Sequence, residues 1–119
     1  MESNFYFLKC NHKVVKLDMH LVTHISVDDY VVTIHCLDGS IHSCCSSLKR
    51  MENELPSVFK KINRSCLANS GLIQSIHSKE REITMLNDIR LRVAKSKWSE
   101  LKREFVQLKH RTNQIHRGK

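Results

Sequence analysis

Phe59-Lys60-Lys61-Ile62-Asn63-Arg64-Ser65-Cys66-Leu67-Ala68-Asn69 places three cations within five positions, with no carboxylate among them, and runs directly into a short apolar patch. A positive prong rooted in a core suits an anionic partner, with Lys61 as a phosphate contact. Pro56 upstream and Gly71 downstream both punctuate the backbone, so the segment is read as one strand entered and left by sharp turns. The plainer account is an edge strand that carries Lys and Arg for solubility, or an Arg64 that pairs with Glu52 or Glu54. A second constellation is His35-Cys36 with His42, Cys44 and Cys45, since imidazole and thiolate are the ligands zinc prefers. Strand alternation sets His35 and Cys36 on opposite faces, and no C-x-x-C or H-x-x-x-H spacing is present, so neither a metal nor another cofactor is expected. Redox sensing by Cys36, Cys44, Cys45 or Cys66 competes with the ordinary role of buried cysteine as a small apolar residue. Catalysis finds no footing: there is no Gly-rich phosphate loop, no G-x-S-x-G elbow and no paired carboxylates. Neither an enzyme nor a small-molecule substrate is expected.

The net charge is +8 and the pI is near 9.5, and the placement of that charge says more than its size. Residues 1–94 hold twelve Lys and Arg against ten Asp and Glu, whereas residues 95–119 hold eight against two. The C-terminal segment therefore generates most of the field, with Lys60, Lys61 and Arg64 as a second focus. Nucleic acid is the commonest partner for such a pattern, and an acidic membrane surface or acidic protein is its competitor. No apolar run approaches the roughly 20 residues that span a bilayer. The five cysteines are odd in number, and Cys44 and Cys45 are adjacent, which suits a reducing, cytoplasmic setting better than a disulfide framework.

The elements that must position these groups are legible from periodicity. At 119 residues, one domain is expected over 1–108, followed by a flexible basic tail over 109–119. Val15, Leu17 and Met19 alternate with polar neighbours, as do Ile25 with Val27, and Tyr30, Val32, Ile34 and Cys36 form a clean period-two row. Asp28-Asp29 reads as a polar turn, and Asp38-Gly39 reads as a type I′ hairpin turn. Leu48, Met51 and Leu55 recur at helical spacing behind a Ser46 or Ser47 cap and stop at Pro56, which predicts one short helix. Leu72, Ile73 and Ile76 make a small apolar cluster. Lys79-Glu80-Arg81 is a turn, Ile83 and Met85 begin a strand, and Asn87-Asp88 turns into a last strand of Ile89, Leu91 and Val93 alternating with Arg90 and Arg92. A second helix follows from about Ser96, with Trp98, Leu101, Phe105 and Leu108 on one face, its periodicity fading from about Thr112. Short strands at this spacing imply a mostly β fold of antiparallel sheets with one internal helix and one C-terminal helix.

Leu55-Pro56 followed by Phe59 to Asn69 resembles the signature of LytTR-type DNA-binding domains: Leu-Pro, a short gap, then Phe-x-Arg-Ile-His-Arg-Ser-Tyr-Leu-Val-Asn. Phe59, Ile62, Arg64, Ser65, Leu67 and Asn69 match it. Lys61, Asn63, Cys66 and Ala68 depart from it, standing where the signature has Arg, His, Tyr and Val. The surroundings agree in order, with Ile25-Ser26-Val27 similar to the family's early strand and Tyr30 to Gly39 to its hairpin. Ser47-Leu48-Lys49 matches the start of its short helix, and Val93 to Leu101 its Val-Ser-Arg-Arg segment and closing helix. The likeness runs from about Phe5 to Phe105.

The resemblance implies a transcription regulator of the response-regulator, two-component type, whose loops enter successive major grooves of double-stranded DNA, usually at paired sites that two copies would fill. It begins near Phe5, so the expectation is a stand-alone regulator or an excised piece of a longer one. The three base-reading loops carry over to Tyr30 or Val31, with the register open by one; to Arg64 with Asn63 beside it; and to Lys95-Ser96-Lys97. Arg is the best guanine reader because its planar fork matches O6 and N7 together, and Asn does the same for adenine. Two lysines around a serine bind phosphate as point charges and specify sequence less well. The expected DNA-binding set is Tyr30, Val31, Lys60, Lys61, Asn63, Arg64, Ser65, Lys95, Ser96 and Lys97. Against it stands an interaction module that docks a protein through the helix face and the basic tail.

Overall fold

The computed structural model describes residues 4–116, with side chains through Gln107. Ten strands and two α-helices follow in chain order: β1 Phe5–Cys10, β2 Lys13–Asp18, β3 Val22–Asp28, β4 Val31–Cys36, β5 Ile41–Cys45, α1 Leu48–Glu54, β6 Phe59–Asn63, β7 Cys66–Asn69, β8 Ile73–His77, β9 Glu82–Met85, β10 Arg90–Arg92 and α2 Lys95–His116. All strand pairings are antiparallel, as expected. The centre is a five-stranded sheet in the order β5-β4-β3-β7-β6; β1 and β2 form a hairpin of their own, and β8, β9 and β10 form a third sheet.

Two cores grow on opposite faces of the central sheet, because neighbouring residues on a strand point to opposite sides. Leu8, Leu17 and Met19 meet Ile25, Val32, Ile34, Leu48, Met51, Leu55, Phe59 and Leu67 on one face. Ile62, Cys66 and Ala68 meet Ile83, Met85, Val93 and Leu101 on the other. Strand β7 feeds both, so all four of its residues are buried and its sequence shows no polar alternation. Leu101 and the partly buried Trp98 hold α2 to the second core, which uses the expected helix face within the domain itself. The expected place of Leu108 on that face, and the expected tail over 109–119, lie outside the residues whose side chains are described.

Several local expectations are corrected. Met19 ends the early row in a single 3-10 turn, Met19–Leu21, because the Asp18 carboxylate accepts a hydrogen bond from the His20 N–H at 3.0 Å. The Asp38-Gly39 hairpin exists, but only Gly39 has positive φ, 93°. The Gly39 N–H donates to the Cys36 carbonyl and the Cys36 N–H to the Ser40 carbonyl, giving a three-residue loop with a left-handed glycine in place of a two-residue I′ turn. The Asp38 carboxylate accepts from both the N–H and Oγ of Ser40, which holds Asp38 in the ordinary backbone region. The short helix forms as its cap predicts, with Ser47 Oγ accepting from the Arg50 N–H at 3.2 Å.

Within the central sheet His35 stacks on the buried His24 ring, centroids 4.0 Å apart, and its Nε2 lies 3.1 Å from Ser26 Oγ. Cys36 is buried on the opposite face, and His42 and Cys44 stand across from Ile34 and Val32. The five thiols are free.

Candidate nucleic-acid interface

The largest correction to the sequence reading falls on its central segment, which is a hairpin and not one strand. Asn63 Oδ1 accepts from the Ser65 N–H at 2.8 Å and from Ser65 Oγ at 3.1 Å, a side-chain turn that reverses the chain within Arg64 and Ser65. A bulge between Lys61 and Asn63 lets Asn63 pair with Cys66. The Asn63 Nδ2 donates to the Arg92 carbonyl at 2.7 Å, so its amide holds the turn and ties it to β10. Arg64 is left exposed at the tip, with no ion pair or side-chain hydrogen bond among the described residues. Neither suggested carboxylate takes it. Glu54 is engaged by the Tyr6 hydroxyl at 2.6 Å and Arg50 at 3.1 Å, and these contacts, Tyr6 first, hold its pKa below the usual value.

Topology then gathers the three expected regions at one end of the central sheet. Antiparallel pairing of Ser26 with Cys66, extended by the Val27 N–H to the Ser65 carbonyl at 2.9 Å, sets the β3–β4 turn beside the Arg64 turn. The Ala94 N–H donates to the Ile62 carbonyl at 2.8 Å, which brings the start of α2 to the same end. Tyr30 is 80% exposed on the β3–β4 turn, and Val31 begins β4, also exposed. Lys95, Ser96 and Lys97 are exposed. They form the first turn of α2 and not the expected loop, because the anchored Ala94 accepts from the Lys97 N–H at 2.9 Å and starts the helix there. That first turn holds no acidic residue, so its cations add to the positive end of the helix dipole.

The other expected residues sit further back. Lys61 precedes Arg64 by three residues, roughly 10 Å along the strand. Lys60 faces α2, where its Nζ lies 3.7 Å from the Glu104 carboxylate, and both lysines are half-buried. The edge is not uniformly basic, since Asp28 and Asp29 are exposed on the Tyr30 turn and Asp29 holds its tightest position at φ 57°. Positive charge is therefore concentrated on the Arg64 and Lys95–Lys97 side. Arg92 belongs to that side and was missed in the sequence reading. Its only local signal was the Arg90-x-Arg92 alternation, which reads as the wet face of a strand.

A family model for the LytTr DNA-binding domain matches residues 12–105. A solved structure described as the LytTr DNA-binding domain of a methyl-accepting/DNA response regulator from Bacillus cereus aligns with a TM-score of 0.71 at 19% identity, covering 88% of this chain and 98% of that one. At that identity the likeness establishes the fold, three antiparallel sheets with a closing helix. No curated protein sequence matches the chain.

Proposed function

The chain belongs to the LytTr family of DNA-binding domains, and from that premise we propose that it is a sequence-specific transcription regulator that reads the major groove of double-stranded DNA through exposed turns. The carrying observation is Arg64: an exposed guanidinium without an internal partner among the described residues, on a turn fixed by the Asn63 side chain, which donates one hydrogen bond and accepts two. A rigid mount lowers the entropy lost when its fork meets a guanine. In this reading Asn63 positions the turn and Arg64 reads the base. Ser65, Lys61 and the Lys95-Ser96-Lys97 turn contact phosphate, and Tyr30 or Val31 lies over a neighbouring groove. Lys60, paired with Glu104, contributes at longer range. Two copies occupy paired half-sites, as the output domains of a cytoplasmic two-component response regulator. No helix among the described residues is long and apolar enough to cross a membrane.

The test is selection of bound fragments from a random-sequence duplex pool, followed by titration of the enriched site. A pair of short motifs about one helical turn or more apart is expected. With some six phosphate contacts, log affinity should fall against log salt with a slope of about −5. Arg64→Ala should weaken the selected site by about 1–3 kcal/mol and relax discrimination at one base. Its thermal stability should not change, since the side chain is exposed and makes no hydrogen bond or ion pair among the described residues. Unaltered discrimination in that variant would remove the assignment.

A further inference from the structure

We propose that Arg92 and Arg90 form a phosphate-binding ridge continuing the Arg64 edge, and that Glu82 competes with DNA for both guanidinium groups. This rests on the DNA-binding reading above and adds contacts which that reading does not contain. The two arginines are two positions apart on β10, so both side chains project from one face, roughly 7 Å apart. Their side chains are 68% and 72% exposed. The Arg92 carbonyl accepts from Asn63 Nδ2 at 2.7 Å, which roots the ridge at the base of the turn that carries Arg64. Three residues further on, at Lys95, the chain enters the Lys95–Lys97 turn. Cations from three elements are thus drawn to one region by these backbone anchors.

Glu82 stands directly across from Arg92 in the β9–β10 pairing. Its carboxylate is 3.7 Å from Arg90 and 4.0 Å from Arg92, and its side chain is only 22% exposed. Neither contact is at hydrogen-bonding distance, so the pairs orient the arginines without consuming their donors. One carboxylate faces two guanidiniums, leaving a net positive ridge. A phosphodiester that docks here takes over donors which Glu82 meets only loosely, and Glu82 lowers the gain through its own charge.

The experiment measures anisotropy of labelled duplexes with the full chain over a salt series, on the selected site and on an unrelated sequence. Arg92→Gln should weaken both duplexes alike, by about 3- to 10-fold, and reduce the salt slope by about 1. Arg90→Gln should act in the same direction, and Arg92→Lys should retain most of the affinity because phosphate accepts a point charge. Glu82→Gln should tighten both duplexes by about 3-fold, an improvement that a merely structural ion pair would not produce. If the unaltered chain binds DNA while both arginine variants keep its affinity and slope, the ridge is overturned and the DNA-binding reading stands. If the unaltered chain binds neither duplex, both are overturned.

Discussion

Asn69 offers the sharpest test of how the fold is joined. The residue is 4% exposed, its Nδ2 donates to the Val22 carbonyl at 2.9 Å and more weakly to the Met19 carbonyl at 3.4 Å, and its Oδ1 accepts from the Gly71 N–H at 3.0 Å. It thereby links the end of β7 to the start of β3, 47 residues away in sequence. Asn69→Ala strands the Val22 carbonyl in a residue with no exposure, at a cost of about 1–3 kcal/mol, and adds about 1 kcal/mol for the Gly71 N–H. A total of about 3 kcal/mol is expected. Unfolding entropy of about 2.1 cal/mol/K per residue then gives a fall in Tm of about 12 °C, read by circular dichroism at pH 7. Asn69→Asp should be worse at neutral pH, because a buried carboxylate would face the Val22 carbonyl. Burial raises the pKa of that carboxyl in the folded chain above its unfolded value of about 3.9, so its neutral, hydrogen-donating form is favoured at low pH. The deficit of this variant should shrink as pH falls toward 4. A drop of less than about 3 °C in the alanine variant would refute the view that this amide joins the two strands.

Three further outcomes follow from the same geometry. Burial, with the His35 ring beside it, lowers the His24 pKa from 6.5 to about 4, so the unfolded chain takes up protons in that interval that the folded chain refuses. Stability present above pH 6.5 should be lost as pH falls toward 4, by up to about 1.4 kcal/mol per unit, and Tm should become flatter with pH in His24→Gln. Alkylation of the native protein at pH 8 should mark the exposed Cys45 first and Cys66 last, since burial closes off the Cys66 thiol and pushes its pKa up to about 12; mass spectrometry showing equal rates would contradict this. Asn63→Ala should cost about 2 kcal/mol of stability through the lost turn and weaken the selected DNA site more than an unrelated one; an effect on stability alone would separate the turn from recognition.

Much of this molecule is written locally. Period-two rows predicted β3 and β4, the Ser47 cap and Pro56 bounded α1, and the spacing of Phe59, Ile62, Arg64, Ser65, Leu67 and Asn69 pointed to the family, because strand alternation, capping and short motifs depend only on near neighbours. The hairpin at Arg64 was missed for a related reason. Asn63 is a turn-former only when its amide finds the Ser65 N–H and the Arg92 carbonyl, and the second of these is 29 residues away. Strand β7 likewise carried no periodic signal, since a strand buried on both faces has no wet side to alternate with.

What the sequence by itself determined is which residues can bind an anion and which runs can form strands or helices. Only the tertiary structure decided that the turns at Tyr30 and Arg64 and the start of α2 share one end of a sheet, and that Arg92 joins them. Pairing of β3 with β7 and anchoring of Ala94 on Ile62 are contacts between distant segments. Their free energy comes from burying two cores at once, a quantity that no stretch of chain carries alone.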